Sequence, residues 1–405
     1  MMKKVLMLGG SPAQVPSITK AVEMGYHVII CDYLDDNPGQ NFSHGYHKVS
    51  TTDKDAVLEL AKRLRVDGVV CYASDPAAAT AAYVCEQMGF PTSPYRSVEI
   101  LSNKDKFRAF LQQHHFNTPK AKAYAGAHIQ DAIEEIGSFT LPVMIKPVDS
   151  SGSKGVTKLE RVENAQCQIE YALSFSRAKR FIIEEFVESN GYQVAGDGFS
   201  VDGKLVFRCF ANDHFDTHTK NPFVPVGASW PYLKPKSVHD KIHDEIQRLL
   251  TLLDMRTGAY NFDVRIDNEE RVFLMEIGPR CGGNMIPQVI QHATGVDLVE
   301  YTIKAAMGID CSDLKMKEPE GFWAYHVVRS LRDGTLRDIV FDEDFKANNL
   351  VQPFKPYRIK GDTIEVFDGA NKALGVMTLT FGSVDEMIEK IEKMDQLVRV
   401  ELDGD

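Results

Sequence analysis

Three short apolar runs alternate with helical segments through the first 95 residues, and this alternation constrains the fold more than any other feature. The runs are residues 3–8, HVIICD and VDGVVCY, and helical patterns at 17–24, 55–65 and 76–88 separate them. Apolar strands that alternate with helices are typical of a parallel sheet covered on both faces. We therefore expect a doubly wound, Rossmann-like domain over residues 1–96.

The pattern changes after about residue 118, where strands carry acids and lysines instead of continuous apolar runs. LPVMIKP, RFIIEEFV and YQVAGDGFSVDGKLVFRCF are separated by turns rich in Gly, Asp and Asn. Such strands are typical of an α+β body with antiparallel sheet. We expect helices at 97–113, broken near Ser102, and at 238–254 and 287–307. After residue 310 we expect short strands again and a last helix at 384–394.

Composition narrows the class of function. The chain has 405 residues and a formal net charge of −11, with no run of Lys and Arg. This balance argues against a nucleic-acid partner and favours an enzyme of small anionic metabolites. Seven scattered cysteines without a CxxC pair favour a reducing cytoplasm. No apolar run approaches the roughly 18–20 residues that a membrane span needs, so we expect no membrane association.

Residues 260–280 place two acids in a predicted hairpin. Residues 260–266 alternate strictly, so Asp263 faces away from the apolar side chains. If Asp267 pairs with Glu270 across the turn, Asp263 and Glu276 share one sheet face, two positions apart. That diagonal is roughly 7–8 Å, a distance that a cation can bridge through its ligands. Ion pairs with neighbouring arginines are the open alternative.

A second segment combines a lysine with a loop of small residues. Lys146 closes an apolar strand, and residues 150–155 follow it as SSGSKG. Small residues let backbone N–H groups approach phosphate oxygens, and lysines neutralise the phosphate charge. An ordinary flexible hairpin is the alternative. A nicotinamide site after the first strand is a weaker hypothesis, because Ser11 stands where a dinucleotide fingerprint needs its second glycine.

These segments together resemble the ATP-grasp superfamily, which includes biotin carboxylase, D-alanine–D-alanine ligase and the phosphoribosyl-amine ligases. The shared order is a helix-borne lysine (Lys104), a strand-borne lysine (Lys146), the small-residue loop, EEFV and D-x12-E-x3-R. The resemblance covers the whole chain. It implies a two-part ATP-grasp domain at 97–308, with a lid subdomain at about 118–189, and a small C-terminal α+β domain at 309–405.

The resemblance also implies roles for individual residues. Asp263 and Glu276 match the paired carboxylates for Mg²⁺, with Mn²⁺ as an alternative ion. Arg280 matches the arginine beside the transferred phosphate, and Lys154 is the second catalytic cation. The implied ATP-binding residues are Lys104, Lys146, Ser151, Gly152, Ser153, Gly155, Glu184, Glu185, Val187 and Gln193.

Two positions depart from the superfamily pattern. Gly278 stands where an asparagine is usually a further metal ligand, so an extra water, Asn284 or Asn261 takes that place. Gln193 stands where a glutamate commonly binds the ribose hydroxyls. Glutamine both donates and accepts, so ribose binding is still expected.

The substrate-facing residues are less specific. The candidates are Ser74, His214, Asn284 and Arg329. A structural salt bridge is an equal alternative for Arg329. A zinc site at His214 and His218 is a weaker alternative for that pair.

The expected function is an ATP-dependent carboxylate–amine ligase that works through an acyl phosphate and releases ADP and phosphate. An amino-acid or dipeptide ligase is the leading case. The alternatives are a purine-type phosphoribosyl-amine ligase, a carboxylase, and a nucleotide-binding module without catalysis. The expected partners are a small carboxylate and a small amine, and we expect a homodimer.

Overall fold

The structure is a computed structural model that describes residues 2–404. The strands, in chain order, are β1 Lys4–Leu8, β2 His27–Asp32, β3 Gly45–Lys48, β4 Gly68–Cys71, β5 Ala121–Ala125, β6 Val143–Pro147, β7 Thr157–Leu159, β8 Arg180–Glu185, β9 Val194–Val201, β10 Lys204–Phe215, β11 Pro225–Trp230, β12 Gly258–Ile266, β13 Val272–Gly278, β14 Phe322–Val328, β15 Gly334–Phe341, β16 Thr363–Ile364, β17 Gly375–Phe381 and β18 Val398–Leu402.

The α-helices complete the set of main elements. In chain order they are α1 Val15–Glu23, α2 Lys54–Leu64, α3 Asp75–Met88, α4 Tyr95–Leu101, α5 Lys104–Gln113, α6 Ile129–Glu135, α7 Ala165–Phe175, α8 Lys236–Leu252, α9 Ile286–Thr294, α10 Leu298–Ala306, α11 Glu343–Asn349, α12 Val384–Glu392 and α13 Met394–Leu397. No helix within residues 2–404 has the length and hydropathy needed to cross a membrane.

The first sheet is parallel, with the strand order β3-β2-β1-β4. Leu6 and Leu8 of β1 pack with α2 and α3 on one face. Val5 and Met7 pack with α1 and α10 on the other face. Both faces are buried, which is why these strands read as unbroken apolar runs. The predicted doubly wound parallel domain is confirmed.

The second sheet is antiparallel, with the order β5-β8-β6-β7, and spans residues 121–185. Helices α6 and α7 cover one face, where Ile145, Ile169 and Ile183 share a core. The opposite face carries Lys146 and Glu184, which alternate with those apolar residues along their strands. The period-two pattern thus directs charged side chains toward the third sheet.

The third sheet is antiparallel and has seven strands in the order β13-β12-β9-β10-β11-β14-β17. Helix α8 packs on one face, where Ile246 and Leu249 meet Phe262 and Val264. The last two strands, β14 and β17, come from the C-terminal quarter of the chain, which also forms the small sheet β16-β15-β18. The antiparallel α+β body predicted from the sequence is confirmed.

One helix prediction is wrong. The segment 287–307 is two helices, α9 and α10, not one. Gly295 follows α9 with φ +74° and ends it, and the Asp297 side chain caps α10 by accepting the Glu300 N–H. A left-handed glycine followed by an Asp N-cap is a common helix stop and start.

The predicted register of the β12–β13 hairpin is also wrong, although the face is right. The structure pairs Ile266 with Val272, and a β-bulge between Asp263 and Val264 shifts the pairing once more. The two offsets together move the register by two residues, so the side-chain faces are preserved. As a result Asp263 lies directly opposite Glu276 rather than on a diagonal.

Candidate active site

The facing acids of β12 and β13 form the first part of the site. Asp263 and Glu276 are a directly opposed pair on the sheet face that α8 does not cover. Burial raises the pKa of Asp263 to about 6, Arg265 opposes that rise, and Glu276 adds to it. Asp263 Oδ1 is buried and has no hydrogen-bond partner among residues 2–404.

This donor set fits a magnesium ion. Mg²⁺ is usually held by one or two carboxylates together with waters and substrate phosphates, rather than by a complete protein cage. Residues 2–404 contain no group of three or more His, Cys, Asp or Glu side chains arranged for a metal. Asp263 and Glu276 supply two carboxylates, and one of them has an unpartnered buried oxygen. This set matches the protein ligands of a nucleotide-bound Mg²⁺.

Lys104 connects Glu276 to the loop formed by residues 150–155. It is the first residue of α5, and its Nζ lies 3.2 Å from Glu276 Oε2. The same Nζ donates to the Ser150 carbonyl at 2.8 Å. Lys104, Glu276, Ser150 and Asp75 line one small cavity of about 80 Å³. The lysine thus lies between Glu276 and the loop 150–155.

Lys146 belongs to a buried charged triad. Its Nζ lies 2.9 Å from Glu184 Oε2, and Arg108 Nε lies 3.1 Å from Glu184 Oε1. Burial by itself would raise the pKa of Glu184, but Arg108 and Lys146 lower it to about 2. Burial lowers the pKa of Lys146, and Glu184 partly offsets that effect. Arg108 also donates to the Leu274 and Met275 carbonyls, so the triad joins the second sheet to β13.

The segment after β8 is fixed by Arg265. Its Nη1 donates to the Val187 carbonyl at 2.6 Å and its Nε donates to Gln193 Oε1 at 2.7 Å. Gln193 in turn donates to Asp213 at 3.4 Å. The Glu185 side chain points elsewhere, because its Oε1 accepts the Thr140 N–H at 2.7 Å. Arg265 therefore hydrogen-bonds to Val187 and Gln193 and not to Asp263 or Glu276.

Residues 150–155 connect β6 to β7 and dock against two other segments. Ser153 Oγ donates to the Phe223 carbonyl at 2.7 Å. Asn221 Nδ2 donates to the Ser153 carbonyl at 2.9 Å and to the Asp368 carbonyl at 3.3 Å. Gly152, Ser153 and Gly155 have positive φ, which permits the tight path of this loop. Ser151 lies at the start of that turn, and Lys154 runs beside Gly369.

Arg280 is held by the first domain. Its Nε and Nη2 donate to the two carboxylate oxygens of Asp75 at 2.7 and 2.5 Å, and its Nη1 donates to the Cys281 carbonyl. Burial would lower the pKa of Arg280, but the contact with Asp75 raises it. Asp75 is the first residue of α3, directly after Ser74. A bidentate pair of this kind fixes both the position and the plane of the guanidinium.

A second buried acid, Asp197, holds the segment that follows Arg280. Its carboxylate accepts the Gly282 N–H and the Asn261 amide. Burial raises the pKa of Asp197 to about 7. The Asn261 amide nitrogen is thus engaged by Asp197 and by the Gly196 carbonyl. Asn284, with φ +51°, lies farther along the same segment.

A cavity of about 590 Å³ opens beside residues 186–193. Its lining combines Phe186, Gln193, Asp213, His214, Arg329 and Met394. His214 Nε2 lies 2.8 Å from Ser229 Oγ, and burial lowers its pKa to about 4. Arg329 pairs with Asp216 and with Asp395.

The four substrate candidates therefore fall into two groups. His214 and Arg329 line the large cavity, where Arg329 already has two carboxylate partners. Ser74 lies next to Asp75, and Asn284 lies four residues after Arg280, so both belong to the Arg280 side. His218 is largely exposed, and its Nδ1 contacts Asp216.

Sequence reasoning missed several residues that build the site. Arg108 lies four positions after Lys104 on α5, a spacing that puts both on one helix face, and this signal was available. Arg265 shares the face of Asp263, but its partners in the hinge are not readable from alternation. Asp75 is 205 residues from Arg280 in the chain, and no local pattern joins the two.

Comparisons with known proteins bear on the family and the fold. Residues 139–288 match the family model of the ATP-grasp domain. A formate-dependent phosphoribosylglycinamide formyltransferase of Saccharolobus solfataricus is 24% identical over 98% of this chain and 97% of its own length.

Solved structures share the fold over the full chain. L-amino acid ligase from Bacillus licheniformis has a TM-score of 0.80 at 17% identity, and the match covers 99% of each chain. Phosphoribosylglycinamide synthetase from Anaerococcus prevotii has a TM-score of 0.75 at 19% identity, covering 99% of this chain and all of the other. At these identities the structural matches establish the fold alone.

Proposed function

Because this chain belongs to the ATP-grasp superfamily of ATP-dependent ligases, we propose that it joins a carboxylate to an amine through an acyl phosphate. The observation that carries the proposal is the opposed pair Asp263 and Glu276, with an unpartnered buried oxygen on Asp263 and Lys104 beside Glu276. No hydrogen-bond donor among residues 2–404 reaches Asp263 Oδ1. A nucleotide-bound cation contacts this oxygen in the proposal.

The nucleoside enters the 590 Å³ cavity beside residues 186–193. Phe186, Ile391 and Met394 offer apolar surface to the base. The backbone of Glu185 and Val187 faces the adenine edge in this proposal. Arg265 holds the Val187 peptide by donating a hydrogen bond to its carbonyl. The linked pair Gln193 and Asp213 offers both donors and acceptors to the ribose hydroxyls.

The triphosphate lies between the two lysines and the loop 150–155. Lys104 and Lys146 offset its charge, and the backbone N–H groups of the loop contact its oxygens. Mg²⁺ held by Asp263 and Glu276 supplies further neutralisation of the phosphate charge when bound. The roles of Ser151, Gly152, Ser153 and Gly155 are those of the loop. Lys154 belongs to the same loop and lies at its outer side, near Gly369.

The chemistry needs positioning and electrostatics, not a protein nucleophile. A carboxylate oxygen of the substrate attacks the γ-phosphorus, the bond to the β–γ bridging oxygen breaks, and ADP leaves. The amine then attacks the acyl carbon, loses a proton and expels phosphate. Arg280 stabilises the charge that develops on the transferred phosphoryl group. The docked loop excludes water, which would otherwise hydrolyse the acyl phosphate.

The choice of substrates rests on the two kinds of similarity. The leading candidate is an amino-acid or dipeptide ligase, supported by the full-length fold match to an L-amino acid ligase. A purine-type reaction on a phosphoribosyl amine is the second candidate, supported by the full-length match to phosphoribosylglycinamide formyltransferase.

The experiment is ADP release in a matrix of carboxylates and amines. One axis holds amino acids, formate and bicarbonate, and the other holds amino acids, simple amines and phosphoribosylglycinamide. We expect ADP release that requires both a carboxylate and an amine, and mass spectrometry should identify the amide product. Asp263→Asn is the inactive control. If every combination leaves ATP intact while the nucleotide still binds, the chain is a nucleotide-binding module without catalysis.

Assembly is a separate part of the proposal. A biotin carboxylase domain of this fold was crystallised as a dimer. We expect a homodimer here as well, and light scattering coupled to size exclusion measures it directly.

A further inference from the structure

The contact between Arg280 and Asp75 joins two parts of the chain that are far apart in sequence. Asp75 begins α3, immediately after the first parallel sheet, whereas Arg280 follows β13 of the seven-stranded sheet. Both side chains are mostly buried, with exposed fractions of 19% for Asp75 and 11% for Arg280. Two of the three guanidinium nitrogens donate to Asp75. The position of Arg280 therefore depends on a carboxylate from outside the ATP-grasp domain.

Gly278 makes this contact sterically possible. A Cβ atom added to Gly278 would lie 3.0 Å from Asp75 Oδ1 and 3.2 Å from Arg280 Cζ. The φ of Gly278 is not positive, so the backbone there does not require glycine. Space is what favours glycine, because a Cβ at 278 would press on the Asp75 carboxylate unless that side chain shifted by a few tenths of an ångström. Residue 278 and residue 75 thus compete for one volume.

We infer that Asp75 is a positioning residue for Arg280, and that Gly278 is a glycine so that the Asp75 carboxylate can reach Arg280. This inference rests on the role of Arg280 in the proposed function. It also accounts for Gly278 where an asparagine would be expected, because a side chain at 278 would crowd the Asp75 carboxylate. The chain uses a carboxylate of the first domain to orient the arginine instead.

The small cavity near Lys104 supports the same assignment. Asp75 and Glu276 line the small cavity that also contains Lys104. An unpaired arginine at this position would have Glu276 as a nearby carboxylate, and the charge that Glu276 offers to a cation would be reduced. With Asp75 present, Arg280 forms its ion pair with Asp75 rather than with Glu276.

The test is a double-mutant cycle of Asp75→Ala and Gly278→Asn. We expect Asp75→Ala to lower kcat roughly 100-fold, since a misplaced catalytic group costs about that much. Gly278→Asn should lower kcat by a similar factor, because it displaces the carboxylate. The double variant should be no worse than either single variant, since no carboxylate remains to be displaced. Asp75→Asn, which keeps the size and one acceptor, should be intermediate.

Affinity for MgADP separates positioning from collapse of the fold. We expect Asp75→Ala to keep the dissociation constant of MgADP within threefold of the native value while kcat falls. Gly258→Asn is the matched control, because a Cβ at Gly258 meets no atom within 4 Å and this glycine also lies in the β12–β13 hairpin. A kcat change below threefold in Asp75→Ala, singles whose effects multiply in the double, or a parallel loss of MgADP affinity would each overturn the inference.

A further measurement does not depend on the reaction. Hydrogen exchange of peptides covering 73–78 and 279–285, without ligand, should rise at least tenfold in Gly278→Asn and return toward the Asp75→Ala level in the double variant. If the native protein turned over no substrate pair, the proposed function would fail, and this exchange cycle would still test the competition between residues 75 and 278. Unchanged exchange in Gly278→Asn would refute that competition.

Discussion

Replacing Glu184 by glutamine removes the only carboxylate from a buried triad that also contains Arg108 and Lys146. Two cations are then left in a site where the arginine is 3% exposed and the glutamate position is fully buried. Removing one partner of a buried ion pair typically costs about 3–5 kcal/mol. The fall of the Glu184 pKa from 4.5 to about 2 gives a similar free energy, about 3 kcal/mol, because each pKa unit corresponds to roughly 1.36 kcal/mol.

The triad joins β6, β8 and α5, so the loss should appear locally. We expect Glu184→Gln to raise the hydrogen-exchange rate of the β6 and β8 amides by about 100-fold, because about 3 kcal/mol corresponds to that factor. Mass spectrometry of peptides 143–147 and 180–185 measures it. Glu185→Gln is the matched control, since the Glu185 side chain bonds the Thr140 N–H instead and the substitution retains an acceptor.

The same triad predicts the direction of acid sensitivity. The pKa of Glu184 is lower in the folded chain than in the unfolded chain, so its contribution to stability is present above about pH 4.5 and is lost as the pH falls toward about 2. Glu184→Gln should therefore show less of this acid-induced loss in β6 and β8. Exchange rates within threefold of the native protein at pH 7 would refute the account of the triad.

Three further predictions concern the nucleotide site. Because the Asp263 pKa is about 6 and only the ionised form binds a cation, Mn²⁺ affinity measured by electron spin resonance should fall roughly tenfold from pH 7 to pH 5, and Asp263→Asn should bind weakly without that pH dependence. Arg265→Lys should raise KM for ATP about tenfold with little change in kcat, since one ammonium group does not reproduce the two separate guanidinium donors that contact Val187 and Gln193. An unchanged KM would contradict the role of Arg265 in holding these two residues. Gly155→Ala should raise KM for ATP by a similar factor, because its φ is +74° and a Cβ would meet Phe175 at 2.9 Å, whereas Gly137→Ala, with open space around it, should behave as the native protein.

The periodicity of apolar and polar residues was sufficient to predict the parts of the fold in which side chains alternate regularly along the chain. The alternation in β12 predicted the faces of Asp263 and Phe262 correctly, because a strand has period two. The register failed because the turn is longer than expected and a bulge follows it, and neither has a distinctive residue signal here. The split between α9 and α10 was visible in Gly295 and Asp297 and was overlooked.

The site was less accessible than the fold, for a physical reason. Lys146 and Glu184 were identified as site residues, but the contact between them depends on the pairing of β6 with β8, and Arg108 reaches them from another element. The ion pair between Asp75 and Arg280 joins residues that are 205 positions apart, and it depends on the placement of the first domain. Such contacts come from tertiary packing, which no window of sequence contains. The roles assigned to the predicted site residues stay predictions.

The strand order of the seven-stranded sheet has a consequence for the nascent chain. Strand β11 gains its outer neighbour only when β14 has been made, about 90 residues later, and β14 waits for β17 in turn. Until then the β11 edge presents unpaired backbone groups that can join another chain. A chain that ends near residue 310 would contain both Asp263 and Glu276 but would leave the β11 edge open, and chaperone demand should peak in that interval.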